Sequence, residues 1–302
     1  MTALAQPSTT VAVRPAGRLR WQRVALHLFL ISLAVVWLFP ILFTVYTALR
    51  PFGDTAHAGY ASFPPGSLTL DNFISAWTEA DLPRFFLNTM IVAVPGVLLT
   101  LWISSMLAYV FARFSFRLNL PLLMMFTAGN LLPPQVIIVP LYRIYLALPL
   151  PRLLSDTGLL YDSYIGIILV HVVFQTGFCT FVMSNYMRTI SRELTEAALV
   201  DGASLWTTYR RVILPLCRPA LAALATLEFT FIYNDFFWAL VLMKTGDKRP
   251  ITSALNNLQG AFFTDNNQLA AASFLVAVPT IIIYLVLSKQ FVSGLTLGST
   301  KG

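Results

Sequence analysis

Six long stretches of this sequence carry almost no charge, and that pattern restricts the chain to very few folds. They run over residues 24–49, 86–112, 118–142, 163–187, 219–243 and 266–288. Only the fifth holds acidic side chains, Glu228 and Asp235. A helix that crosses the hydrocarbon core of a bilayer needs about 20 apolar residues. There every backbone amide and carbonyl must find a partner within the protein, which the α-helix provides along its own length. The expected fold is therefore an all-α polytopic membrane protein with six transmembrane helices. Composition agrees: only 11% of residues are charged, against about 25% in soluble domains.

The first stretch is not a secretory signal. It is uncharged for 26 residues from Val24 to Leu49, whereas signal cores are about 7–15 residues long. It reads as a retained helix that Pro40 would kink. Six spans place both termini on one side of the membrane. With the N-terminus inside, 13 Lys and Arg fall on the inner side and 7 on the outer, so both termini are expected in the cytoplasm. The net charge of +7 is then a property of cytoplasmic loops. No basic stripe interleaved with aromatics suggests nucleic acid.

The expected organisation is a cytoplasmic tail over residues 1–23, one transmembrane domain over 24–290 and a cytoplasmic tail over 291–302. Outer loops fall at 50–84, 143–162 and 244–265. The first contains Pro64-Pro65-Gly66 and then a short helix starting near Asp71. No loop is long enough to bury a core of its own. In the third stretch Pro133, Pro134 and Pro140 each remove a backbone donor. A helix broken beside a cavity and a kinked packing helix both fit.

The longest polar interruption in the second half is the loop 189–215, which the charge count puts inside the cell. Ser191 can cap a helix whose first turns carry Glu193 and Glu196, where negative charge suits the helix dipole. Leu194, Ala197, Ala198 and Leu205 give a face with small residues at its middle. Gly202 permits a sharp change of direction. Arg210 and Arg211 follow, and Leu214-Pro215 leads into the fifth helix with proline in a first turn. On these residues alone, an amphipathic loop lying on the membrane fits as well as a docking element.

The spacing within this loop resembles the EAA signature of permease subunits in binding-protein-dependent ABC importers. Glu196-Ala197-Ala198 is followed after three residues by Gly202. Nine residues later come Val212, Ile213 and Leu214-Pro215, with Val212 where the pattern has isoleucine. Leu68 to Phe73, Asn88-Thr89, Pro140-Leu141-Tyr142, Tyr233-Asn234-Asp235 and Phe291 to Leu295 resemble the carbohydrate branch, the smaller maltose permease subunit in particular. Ser191 departs from a usual proline and Tyr233 from a usual tryptophan. The resemblance implies the type I permease fold of ABC importers. It implies that Glu196, Ala197, Ala198, Asp201, Gly202, Leu214 and Pro215 couple to a separate ATPase. The implied partners are a second homologous permease subunit, an ATPase dimer, an extracytoplasmic solute-binding protein, and a sugar or sugar-like solute. The implied location is a bacterial or archaeal cell membrane.

The chain has no GxxxxGK[ST] phosphate loop, so ATP and Mg are expected at the partner and no cofactor on this chain. Cys179 and Cys217 read as packing residues, and His27, His57 and His171 are too scattered to suggest a metal site. No nucleophile elbow is present, which argues against an enzyme. Asn130, Gln175, Tyr233, Asn234 and Asp235 are the candidate solute-pathway residues. Glu228 and Asp235 lie seven apart and so would share roughly one helical face; intramembrane carboxylates usually meet a cavity or a partner. An ion-coupled secondary transporter using those two carboxylates, or an ABC permease for a non-sugar solute, stays open.

Overall fold

The computed structural model describes residues 16–130, 133–258 and 264–296. Among them the secondary structure is helical, apart from one isolated bridge between Pro149 and Leu159. The helices are α1 (Ala16–Ala48), α2 (Phe52–Ala58), α3 (Asp71–Glu79), α4 (Leu82–Arg113), α5 (Asn119–Gly129), α6 (Ile138–Ala147), α7 (Tyr164–Thr189), α8 (Glu193–Val200), α9 (Leu205–Thr208), α10 (Leu214–Leu216), α11 (Arg218–Tyr233), α12 (Phe237–Leu242), α13 (Ile251–Ala254) and α14 (Asn266–Thr296). Four of these are long and apolar enough to cross a membrane, or six if each of two bent pairs forms one span.

The first helix begins at Ala16 and so includes Arg18, Arg20 and Arg23, which the sequence places in a tail; residues 1–15 lie outside the described residues. It continues through Pro40, and the Thr44 hydroxyl donates to the Pro40 carbonyl at 2.8 Å. The third stretch is broken. Helix α5 and the segment Pro134–Ala147 meet at 91°. Residues 131 and 132, at the junction, lie outside the described residues.

The fifth stretch departs most from expectation. It is not one helix over 219–243. A preceding segment, Leu205–Leu216, meets α11 at 74°, and the chain restarts at Arg218-Pro219, with Cys217 at the corner. At the other end α11 stops at Tyr233, and a new short helix begins at Phe237. Asn and Asp favour helix ends because their short side chains compete for nearby backbone groups. Here the Asp235 carboxylate accepts the amides of Trp238 at 3.2 Å and Ala239 at 3.1 Å, which opens α12. Glu228 and Asp235 are therefore not on one helical face.

Helices α4 and α7 pack at the centre through small and hydroxyl side chains, among them Ala93, Thr100, Ser104 and Thr180, all buried. Such residues let backbones approach where lipid offers no hydrophobic drive. Ser104 satisfies its own hydroxyl on the Thr100 carbonyl at 2.6 Å. Helix α5 lies so close to α7 that a β-carbon on Gly177 would stand 2.1 Å from the Phe126 carbonyl oxygen. Helix α11 packs on α4 and α14, and α1 packs on α14. No residue in the apolar window of α1 is buried, so most of its surface faces outward from this chain.

The loops are tied down by single side chains. Arg50 is fully buried and donates to Asp54 at 2.6 Å, to the Gly59 and Tyr60 carbonyls and to the Ser62 hydroxyl. Asp162, left-handed at φ 59°, accepts the Lys244 and Thr245 amides at 2.9 and 3.0 Å and the Thr245 hydroxyl at 2.6 Å. Burial pushes the Asp162 carboxyl up. The Thr245 and Lys244 donors and the charge of Lys248 outweigh it, and the net shift is downward. The expected short helix near Asp71 is α3; Asn72 anchors it by donating to the Ala48 and Arg50 carbonyls, both at 2.8 Å.

Candidate functional site

Two sites emerge, one at the polar loop and one between α7 and the broken fifth stretch. The loop site begins at Ser191, whose hydroxyl accepts the Glu193 amide at 3.2 Å from one position before Arg192, the N-cap of α8. Helix α8 has no buried residue. Glu193, Glu196 and Ala197 are exposed, and so are Leu194, Leu199 and Val200, the last at 87%. Exposed apolar side chains on a short helix without a buried residue suit docking better than packing within the chain.

The turn that follows is built by three backbone bonds: Asp201 to the Ala197 carbonyl at 3.0 Å, Gly202 to Leu199 at 3.0 Å and Ala203 to Ala198 at 2.9 Å. Gly202 adopts φ +82°, the left-handed conformation that closes helices and favours glycine. A β-carbon there would meet nothing within 4 Å of this chain. Ser204 then caps α9, accepting the Thr207 amide at 3.2 Å.

The return limb holds the loop to the membrane helices. Tyr209–Ile213 forms a π-helical turn, which the sequence pattern did not signal. Its inward residues Tyr209 and Ile213, with Cys217, are buried against Ala108 and Tyr109 of α4 and Met183 and Met187 of α7. The Tyr209 and Ser105 hydroxyls lie 2.8 Å apart. Arg113 donates to the Ile190 carbonyl at 3.1 Å, and Arg188 to Phe111 at 3.3 Å. Leu214 and Pro215 are half-buried in this limb. The return limb is thus packed against and hydrogen-bonded to α4 and α7.

The second site is a cavity of about 520 Å³. It joins Asn130, Gln175 and Asp235, three of the five residues proposed from sequence. Helix α7 contributes one face, His171, Phe174, Gln175 and Phe178, at the i, i+3, i+4, i+7 spacing of a helix stripe. Helix α11 supplies Leu227 and Phe231, and α12 supplies Trp238. The Phe174 and Trp238 rings lie 5.3 Å apart. His171 Nε2 lies 3.5 Å from Asp235 Oδ2 and has no hydrogen-bond partner among the described residues. Sequence reasoning missed His171 and Trp238. The helical spacing of His171 to Gln175 was the available signal.

The remaining candidates sit elsewhere. Tyr233 is fully buried, and its hydroxyl donates to the Val276 carbonyl of α14 at 2.9 Å. Asn234 is exposed and donates to the Thr230 carbonyl at 2.8 Å. Glu228 is fully buried against α7, where the Cys179 thiol donates to Oε1 at 3.2 Å, and its other oxygen has no partner among the described residues.

A bundle of apolar helices with a short exposed helix in its polar loop and a cavity lined by aromatic and a few polar side chains fits a membrane permease. The chain belongs to the family of binding-protein-dependent transport system inner membrane components, whose model matches residues 100–292. That family consists of transport subunits of ABC importers, not enzymes. The chain is 31% identical over 87% of its length to a probable ABC transporter permease of Pyrococcus horikoshii, covering 92% of that protein. It is 29% identical to the diacetylchitobiose uptake system permease NgcG of Streptomyces coelicolor, with 91% of this chain and 88% of that protein covered. It is 27% identical to the arabinooligosaccharides transport permease AraQ of Bacillus subtilis, over 93% and 96%. Its fold matches a chain in a crystal structure of a bacterial ABC transporter involved in import of the acidic polysaccharide alginate. There the TM-score is 0.76 at 20% identity, with 93% of this chain and all of that chain covered.

Proposed function

We propose that this chain is one of two permease subunits of an ATP-driven importer for a sugar or sugar-like solute. It would cross a bacterial or archaeal cell membrane six times with both termini in the cytoplasm. Helix α8 carries the reading: a segment with the Glu196-Ala197-Ala198 and Gly202 spacing forms a short helix without a buried residue. In this reading Glu196, Ala197, Ala198, Asp201 and Gly202 dock on an ATPase dimer that binds ATP and Mg. Leu214 and Pro215 belong to the limb that carries the motion to α4 and α7. The missing phosphate loop in this chain supports that division of labour.

Relatives named for uptake of diacetylchitobiose, arabinooligosaccharides and melibiose, raffinose and stachyose favour a carbohydrate solute. A further solved relative, of TM-score 0.62 and 21% identity, is described in complex with a periplasmic protein, which favours a solute-binding protein as a further partner. The test is purification of the assembled complex from its native membrane, with mass spectrometry of its subunits and retained ligand. Co-purification of an ATPase, a second permease and a carbohydrate-loaded binding protein is the expected result. Recovery without an ATPase would refute the reading.

A further inference from the structure

The cavity between α7, α11 and α12 contains two kinds of surface. One is aromatic: Phe174 and Trp238 stand 5.3 Å apart and tilted by 42°, with Phe231 half-exposed beside them. The other is polar and under-used. Asp235 accepts two amides and 3.5 Å from it stands the His171 ring, yet a carboxylate offers about four acceptor directions. His171 is buried with Nε2 unbonded among the described residues. The Asn130 side-chain amide donates to the Phe126 carbonyl at 3.5 Å. Unused hydrogen-bond capacity in a buried place is costly unless a ligand takes it up.

The volume of about 520 Å³ falls within the range of about 300–1,000 Å³ typical of small-molecule sites. No lysine or arginine lines it among the described residues. A sugar ring matches both surfaces. Its axial C–H groups carry slight positive charge and meet the negative faces of aromatic rings, while its hydroxyls both donate and accept. A uronate would instead bring its carboxylate toward Asp235 with no lysine or arginine in the lining to offset it, and like charges at one site repel.

We propose that this subunit itself holds a solute subsite, formed by His171, Phe174, Gln175, Asp235 and Trp238, that accepts uncharged polyhydroxy solutes and rejects acidic sugars. The proposal rests on the carbohydrate-importer reading above and goes beyond it: that reading does not require this chain to touch the solute. It also sets this chain apart from the alginate importer that shares its fold.

The test is photolabelling of the assembled importer in lipid nanodiscs. The probes are diazirine-tagged raffinose, diacetylchitobiose and arabinotriose, each also assayed for uptake. A probe that the complex imports should label peptides spanning residues 171–178 or 235–238. Untagged neutral sugar should compete at least about ten-fold better than an alginate trisaccharide. Asp235→Asn keeps one acceptor for the α12 amides and should close that gap. Gln175→Ala, which removes no bond the structure shows, should reduce labelling in case the first variant assembles poorly. Label confined to the partner permease by an imported probe overturns the subsite and leaves the importer reading standing. Equal competition by the alginate trisaccharide in the unmodified complex overturns the charge selectivity. Import of a non-carbohydrate, with none of the three sugars imported, removes both.

Discussion

Gly202 isolates the coupling argument from the stability of the fold. Its φ of +82° lies in the left-handed region, which costs an L-residue about 1–2 kcal/mol. Nothing within 4 Å opposes a β-carbon, so in Gly202→Ala that conformational term is the whole intrachain cost. A loss of 1–2 kcal/mol shifts the local equilibrium about 5- to 30-fold away from the native turn. That turn aims α8, and α8 has no buried residue, so the core does not register the change. The expected outcome is normal membrane abundance, an unchanged melting temperature of the complex, and transport and solute-stimulated ATPase activity reduced by up to about 30-fold. Gly202→Asn separates two causes, because asparagine tolerates the left-handed region better than alanine. If backbone angle alone matters, Asn recovers activity relative to Ala. If a partner surface closes on this glycine, Asn and Asp fail as completely as Ala. Full coupled transport by Gly202→Ala and Gly202→Asp together would refute the role given to the loop.

Three further outcomes follow from particular contacts. Gly177→Ala places a β-carbon 2.1 Å from the Phe126 carbonyl. Parting α5 from α7 should cost at least about 1–3 kcal/mol, seen as a lowered melting temperature of the detergent-solubilised complex; an unchanged value would mean the helices yield freely. Tyr233→Phe removes the bond to the Val276 carbonyl and should cost about 0.5–1.5 kcal/mol of stability without altering solute selectivity; altered selectivity would return Tyr233 to the solute path. Asp162 has a carboxyl held below its usual 3.8, so its stabilising effect is fully present above that pH and is lost as pH falls through it toward the lower folded value. Proteolysis of the loop around residues 150–160 should rise only in that acidic window, and Asp162→Asn should flatten the dependence. Sensitivity appearing near neutral pH instead would show that another group controls the loop.

How much could be read beforehand differs between the two sites. The polar loop was legible because its signal is local. Capping residues, small side chains and a glycine at fixed spacing specify a short helix and its end, and the structure forms α8 with Gly202 in the left-handed turn. The π-helical turn at Tyr209–Ile213 was not legible, because its register is set by Tyr209 packing on Tyr109 and bonding Ser105, contacts across about a hundred residues of chain. The cavity was half legible. Asn130, Gln175 and Asp235 stood out as polar residues in apolar stretches, but Trp238 and His171 join them only once the chain has folded.

The sequence by itself determined the class of the molecule. In a medium without water, long uncharged stretches have few ways to bond their backbones, so composition alone nearly specifies helices. Where those helices break was decided by tertiary structure. The fifth stretch reads as one span until Asp235 takes the Trp238 and Ala239 amides and the helix is cut between Tyr233 and Phe237. Glu228, within α11, packs against Cys179, while Asp235, past the break, lines the cavity. Hydrophobicity records only that a segment is apolar; which of its two carboxylates meets a cavity depends on neighbours that the local sequence does not contain.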